Sequence, residues 1–137
     1  MKTFFDSSAF AKRYIEEKGS QLVDDICYKA TEVCLSVICV PEIISALNRR
    51  LREKRLSPRD YRTIKQHLSD DVRDAVIINL TSEVIRMSTK LLESSPLRAM
   101  DAIHVACASV WKSELFVSSD KQQLSAAKKA GLKIKSV

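Results

Sequence analysis

The stretch Lys2-Thr-Phe-Phe-Asp6-Ser-Ser-Ala-Phe10 decides how the rest of the chain is interpreted. Its short apolar run with two aromatic residues is typical of a buried strand, and a helical pattern begins at Ser7. Asp6 therefore lies at a strand-to-helix turn. Open α/β sheets bind ligands in the crevice beyond the carboxyl ends of their strands. We therefore expect Asp6 to be the first member of an acidic cluster that holds a divalent metal ion.

Strand and helix patterns alternate along the whole sequence. Apolar and β-branched runs predict five strands, at residues 2–5, 32–37, 75–80, 115–118 and 132–137. Helical spacing and capping residues predict helices at about 7–14, 20–30, 41–54, 57–70, 81–92, 97–111 and 120–130. This alternation predicts one α/β domain over residues 1–137, with a parallel sheet and helices on both faces.

Composition narrows the possible functions. The 137 residues carry a net charge of +6, which suits a polyanionic partner such as nucleic acid or an acidic protein. Only two glycines occur, which excludes the glycine-rich phosphate loops of nucleotide-binding proteins. The four cysteines form no CxxC pair, which argues against a zinc site. The sequence contains no apolar run of about 18 residues, and no signal-peptide pattern precedes Asp6. We therefore expect a cytoplasmic protein without membrane contact.

Four carboxylates stand at positions suited to chemistry. Asp6 ends the first strand, Glu42 lies in the first turn of the helix after strand two, Asp101 lies in an apolar helix, and Asp120 follows strand four. Structural interpretations exist for each. Asp6 and Asp120 suit helix N-caps, Glu42 suits the helix dipole, and Arg98 is a possible ion-pair partner for Asp101. However, lone carboxylates are almost never buried, as that of Asp101 is expected to be, unless they are paired or bound to metal.

The fold links these acids. If strands one and four are neighbours, Asp6 and Asp120 face the same crevice. Several carboxylates in one crevice repel each other and do not all ionise without a cation. Sites made of carboxylate oxygens suit Mg²⁺ or Mn²⁺.

The motifs around these acids resemble those of a known family. They are Asp6-Ser7-Ser8, Pro41-Glu42-Ile43, Leu97-Arg-Ala-Met-Asp101-Ala-Ile-His-Val-Ala106 and Ser118-Ser119-Asp120. In order and spacing they resemble the four acidic motifs of the PIN-domain family, and most closely those of VapC-type toxins from bacterial and archaeal toxin–antitoxin pairs. The resemblance implies a three-layer fold around a five-stranded parallel sheet of order 3-2-1-4-5. It also implies an Mg²⁺- or Mn²⁺-dependent endoribonuclease that cleaves RNA with metal-activated water, leaving 5′-phosphate and 3′-hydroxyl ends.

The resemblance also assigns roles and partners. Asp6, Glu42, Asp101 and Asp120 are implied as metal ligands and catalytic acids, and Ser118 and Ser7 are expected to support them. A cognate antitoxin and a homodimer are implied as partners. Many relatives carry another acid just after the last aspartate; Lys121, Gln122 and Gln123 follow here, which leaves open whether one or two metal ions bind.

Basic residues beside the acidic motifs are candidate RNA contacts. They are Lys12, Arg13, Arg49 and Lys121. A solvated basic face is the alternative for each. His104, three residues after Asp101, is either a general acid or base or a packed histidine.

Two other functions remain open at this point. A PIN-domain protein also serves as an RNA-processing nuclease or as a non-toxic RNA-binding scaffold. A receiver-like signalling module that binds Mg²⁺ is the third hypothesis. The third strand argues against it, because that strand ends in Asn79-Leu80 without an acceptor aspartate.

Overall fold

The computed structural model describes all residues from 1 to 137. Five strands and seven α-helices follow one another in chain order. The strands are β1 (Lys2–Phe5), β2 (Glu32–Ser36), β3 (Val76–Ile78), β4 (Leu115–Ser118) and β5 (Lys133–Ser136). The helices are α1 (Ser7–Phe10), α2 (Ser20–Lys29), α3 (Cys39–Arg52), α4 (Pro58–Arg73), α5 (Ser82–Ser94), α6 (Ala99–Val110) and α7 (Lys121–Lys129).

All five strands form one sheet in the order β3-β2-β1-β4-β5, and every strand pair is parallel. The predicted sheet and its order are therefore confirmed. Because β1 is central and its neighbours are β2 and β4, the residues that follow these three strands meet at one edge of the sheet.

Successive residues of the central strands point to opposite faces, as strand geometry requires. Phe4, Cys34 and Phe116 lie in one hydrophobic core with residues of α5, α6 and α7. Their chain neighbours Phe5, Leu35 and Val117 lie in a second core with residues of α1, α2, α3 and α4. Each strand is thus buried on both sides, and the three-layer architecture with helices on both faces is confirmed.

Several predicted boundaries were wrong by a few residues. The helix expected over 7–14 ends as an α-helix at Phe10 and continues as a 3₁₀ turn to Arg13. Strand β3 is limited to three residues. Helix α3 begins at Cys39, so Pro41 is its third residue; an N–H there has no intrahelical partner, and its absence costs nothing. No helix in the protein is both long and apolar enough to cross a membrane.

Three helices end in the same hydrogen-bond pattern, the Schellman motif, which needs one residue with left-handed backbone. Gly131 fills that position after α7, with φ 90°. Lys112 fills it after α6 and Lys54 after α3, with φ 58° and 57°. Left-handed backbone at a lysine cannot be predicted from the sequence, because glycine is the usual residue at such a position.

Candidate active site

Asp6 is buried at the carboxyl end of β1, with 1% of its surface exposed. Its carboxylate accepts hydrogen bonds from the Ala9 N–H at 2.9 Å and from the Ser8 hydroxyl at 2.8 and 2.9 Å. Oδ2 also accepts the Ser118 hydroxyl at 2.7 Å. Burial raises the pKa of Asp6 above its ordinary value, although these hydrogen bonds act in the opposite direction. Asp6 also caps α1, so its N-cap interpretation holds alongside its place in the site.

Ser118 connects Asp6 to the last acidic motif. Its hydroxyl is fully buried, donates to Asp6 and accepts the backbone N–H of Asp120 at 2.9 Å. The Asp120 carboxylate in turn caps α7 by accepting the N–H groups of Gln122 and Gln123. One hydroxyl therefore fixes the relative positions of two acids that are 114 residues apart in the sequence.

Glu42 lies in the first turn of α3 and is held by two polar side chains. Its Oε1 accepts the Ser7 hydroxyl at 2.7 Å and pairs with His104 Nε2 at 2.5 Å. Burial opposes ionisation of Glu42, but the hydrogen bonds from His104 and Ser7 outweigh it and lower its pKa. His104 is 1% exposed, and its Nδ1 has no hydrogen-bond partner. His104 is thus a buried histidine that also hydrogen-bonds to Glu42 and lowers its pKa.

Asp101 is held by a residue that sequence reasoning missed. Oδ1 accepts the side-chain amide of Gln123 at 3.0 Å, and the backbone N–H of the same glutamine points to Asp120. Gln123 is 3% exposed, whereas Asp101 is only partly buried, so the expectation of a buried Asp101 carboxylate was wrong. The only sequence signal is its spacing, three residues after Asp120 on the buried face of a helix. The alternative ion pair of Asp101 with Arg98 does not form.

The acids influence each other's ionisation, and three of them line the same depression. Burial and the charge of Asp120 raise the pKa of Asp101, with further contributions from Glu42 and Asp6. Glu42, Asp101 and Asp120 line one depression of about 610 Å³, whose rim includes Arg98. Asp6 does not line it but is joined to Asp120 through Ser118. We call this region the acidic depression.

The carboxylate oxygens do not yet surround a single point. No three histidine, cysteine, aspartate or glutamate side chains are grouped closely enough to hold a metal ion in their present rotamers. Three of the predicted metal ligands line one depression, and Asp6, Asp101 and Asp120 share one hydrogen-bond network. Common coordination of an ion by the four acids stays a prediction.

A larger depression lies elsewhere. It measures about 970 Å³ and lies beside the amino ends of β2 and β3, at the opposite edge of the sheet. None of the four acids lines it, so the acidic depression is the candidate site on chemical grounds and not on size.

Two of the four basic candidates lie outside the acidic depression. The Lys12 ammonium is buried and bound to the Lys18 carbonyl at 2.7 Å and to Glu17 at 3.3 Å, so it stabilises the following loop. Arg13 pairs with Asp24 and Asp71 and lines the 970 Å³ depression.

The other two basic candidates lie beside the acidic depression. Arg49 is exposed, on the same helix as Glu42. Lys121 is exposed and directly follows Asp120. Both stay predicted RNA contacts.

Comparison with known proteins agrees with this geometry. A family model described as the PIN domain matches residues 3–129. The chain belongs to the PIN-domain family. The receiver-like alternative is therefore wrong.

The relatives of this PIN-domain protein include toxin ribonucleases. Ribonuclease VapC45 from Mycobacterium tuberculosis is 28% identical over 105 residues, which cover 77% of this chain and 73% of that protein. Among solved structures, the DNA-bound VapBC complex from Salmonella typhimurium matches with a TM-score of 0.72 at 11% identity, covering 99% and 98% of the two chains. VapC20 from Mycobacterium tuberculosis, described as a toxin that cleaves the sarcin-ricin loop, matches with a TM-score of 0.69 at 15% identity over 90% and 94%. The two structures share the fold of this protein.

Proposed function

We propose that this PIN-domain protein is a metal-dependent endoribonuclease and the toxin of a type II toxin–antitoxin pair, acting in the cytoplasm. The observation that carries the proposal is the hydrogen-bonded network at one sheet edge. It joins Asp6 to Asp120 through Ser118, and Asp120 to Asp101 through Gln123. The names of the VapC relatives support an RNA substrate, and the VapBC complexes support a cognate antitoxin. A homodimer is part of the same proposal.

The donor set fits a hard divalent cation. All four candidate ligands are carboxylates, and oxygen ligands of this kind suit Mg²⁺ or Mn²⁺ rather than zinc. Asp101 and Asp120 are partly exposed at the depression, so an ion from solvent can reach their carboxylates. The raised pKa of Asp101, caused by burial and by neighbouring negative charge, indicates that added positive charge is favourable there.

Each candidate residue has a proposed role in the reaction. Asp101 and Asp120 would hold the ion at the depression, together with Asp6. When bound, the ion supplies Lewis acidity and neutralises charge on the phosphate. Glu42, which His104 and Ser7 keep ionised, would be in the form that can accept a proton from the attacking water. Arg49 and Lys121 would contact the RNA backbone.

The test is cleavage of RNA by purified protein with and without a divalent ion. We expect cleavage with Mg²⁺ or Mn²⁺, none with EDTA, and product ends of 5′-phosphate and 3′-hydroxyl. These ends exclude contaminating metal-independent ribonucleases, which leave phosphate on the 3′ side. Asp101→Asn should abolish cleavage, whereas Asp74→Asn, the same change at the opposite edge of the sheet, should not. An Asp101→Asn protein that cleaves as the wild type does would overturn the mechanism.

Toxicity separates the toxin from an RNA-processing nuclease. Expression should arrest growth, and co-expression of a neighbouring small gene should relieve the arrest. Active enzyme without growth arrest would favour the RNA-processing alternative.

A further inference from the structure

A second depression adjoins the acidic depression and has the opposite charge. It measures about 390 Å³ and shares Glu42 as a lining residue. Its other lining residues are Ser45, Ala46, Arg49, Arg50 and Arg55. We call it the arginine depression.

Helix α3 supplies most of its wall. Residues three, four, seven and eight positions after Glu42 lie on one face of a helix, and these are Ser45, Ala46, Arg49 and Arg50. The small side chains at 45 and 46 leave room between the glutamate and the two arginines. At 1.5 Å per residue, the arginines are about 10–12 Å from Glu42 along the helix axis.

The turn at the C-terminus of α3 positions the third arginine, Arg55. Lys54 adopts left-handed backbone, its N–H donates to the Leu51 carbonyl at 3.1 Å, and the Arg55 N–H donates to the Arg50 carbonyl at 2.8 Å. This Schellman motif reverses the chain. Arg55 is therefore fixed beside Arg50 by backbone bonds instead of hanging on a free loop.

The guanidinium groups are available for a ligand. Arg49 and Arg50 form no ion pair, and Arg55 makes only an exposed contact with Glu53 at 3.4 Å. The carboxylate of Glu42 is already engaged by Ser7 and His104. Guanidinium groups bind phosphate oxygens in a bidentate manner, so three of them around one depression suit a phosphodiester.

We propose that the arginine depression is a phosphate subsite that holds the RNA backbone beside the cleaved bond. This inference rests on the proposed function. The offset of about 10–12 Å along α3 corresponds to a phosphate a few nucleotides from the one at the acidic depression. The RNA strand then runs from Asp101 and Asp120 past Glu42 and along α3.

The first experiment measures RNA binding without cleavage. A fluorescent single-stranded oligoribonucleotide is titrated in EDTA at several salt concentrations, with fluorescence anisotropy as the readout. The test variant removes three charges, at Arg49, Arg50 and Arg55, each replaced by glutamine. The control removes three charges from unpaired, exposed arginines on α4 and α5, namely Arg59→Gln, Arg62→Gln and Arg86→Gln.

We expect the test variant to bind at least 10-fold more weakly than the control. Its salt slope should fall by about 0.7 for each phosphate that the variant no longer binds. Equal affinities and equal slopes for the two triple variants would overturn the subsite. So would a test variant that binds RNA normally but no longer binds the antitoxin, because the depression would then be a protein-binding surface. A variant with lysine at the three positions, which keeps charge but removes bidentate geometry, should recover part of the affinity.

A second experiment locates the subsite. Single neutral methylphosphonate linkages are placed two, three or four nucleotides from a mapped cleavage site. One position should lower kcat/KM of the wild type and have little further effect on the test variant, which is the non-additivity expected of a shared contact. Additive decreases at every position would overturn the proposal. The binding arm needs no cleavage, so an inactive enzyme that still binds through these arginines would refute the proposed function and leave the subsite standing.

Discussion

Ser118→Ala tests the hydrogen-bond network at its centre. The substitution removes one fully buried hydroxyl that donates to Asp6 at 2.7 Å and accepts the Asp120 N–H at 2.9 Å. A hydrogen bond to a charged group contributes about 1.5–3 kcal/mol, and leaving a partly buried N–H unpaired adds about 1 kcal/mol. We therefore expect Ser118→Ala to lower the free energy of unfolding by about 2.5–4 kcal/mol.

Ser88→Ala is the matched control. Ser88 is also a buried serine, 6% exposed, and its hydroxyl donates to the Val84 carbonyl of its own helix at 2.9 Å. Such back-bonding contributes little, because the carbonyl is already part of the helix ladder. Its removal should change the unfolding free energy by less than about 0.5 kcal/mol. Ser118→Thr keeps the hydroxyl and should recover part of the lost stability.

The assay is urea denaturation in EDTA, which keeps metal ions out of the comparison. A lower midpoint with an unchanged slope reports a change in stability alone. The Ser118 hydroxyl lowers the pKa of Asp6, so it stabilises the ionised carboxylate more than the neutral acid. The cost of Ser118→Ala should therefore be larger at pH 7 than at pH 4. Equal costs at both pH values, or a cost no larger than that of Ser88→Ala, would refute the reasoning.

Three further predictions concern single residues. Lys112→Gly should raise the unfolding free energy by about 1 kcal/mol by relieving left-handed backbone, and Gly131→Ala should lower it by a similar amount, both measured with urea. Burial raises the pKa of Asp6 above its unfolded value of 3.8. In EDTA the wild type should therefore lose stability as the pH rises from the unfolded to the folded pKa of Asp6, and Asp6→Asn should lose less. His104→Leu removes a donor that lowers the pKa of Glu42, so the stability that the wild type has above the unfolded pKa of that glutamate, and loses in acid, should shrink. Parallel pH–stability curves for either variant and the wild type would contradict these last two.

Much of the fold was predictable because each strand carries its own pattern. Phe4 and Phe5 face opposite cores, as do Phe116 and Val117, and strands buried on both faces read as continuous apolar runs. The alternation of such runs with helices leaves few topologies. The predicted third strand is too long because Ala75 and Leu80 continue the apolar pattern beyond the three residues that pair.

The candidate acids could be predicted from the sequence, whereas the side chains that hydrogen-bond to them could not. Asp6 and Asp101 stand out because carboxylates in apolar surroundings need a reason. Gln123 gives no comparable signal, because a glutamine on a helix is ordinary until its partner is known. The contacts of Lys12 are equally invisible in the sequence. Its long side chain is buried while its ammonium donates to the Lys18 carbonyl, which its sequence neighbours do not reveal.

The way in which the acids are held argues for a cationic ligand. Apart from His104, every side chain that hydrogen-bonds Asp6, Glu42, Asp101 or Asp120 is neutral: serine hydroxyls and a glutamine amide. No lysine or arginine pairs with any of the four, although Arg98 lines the same depression. Neutral donors fix a carboxylate in place without cancelling its charge, whereas a salt bridge would do both. A cluster that served only the fold would gain from such salt bridges, since unpaired like charges weaken it. The chain thus keeps its negative charge at one point and its unpaired arginines beside it, an arrangement that suits a metal ion at the first and a phosphate strand across the second.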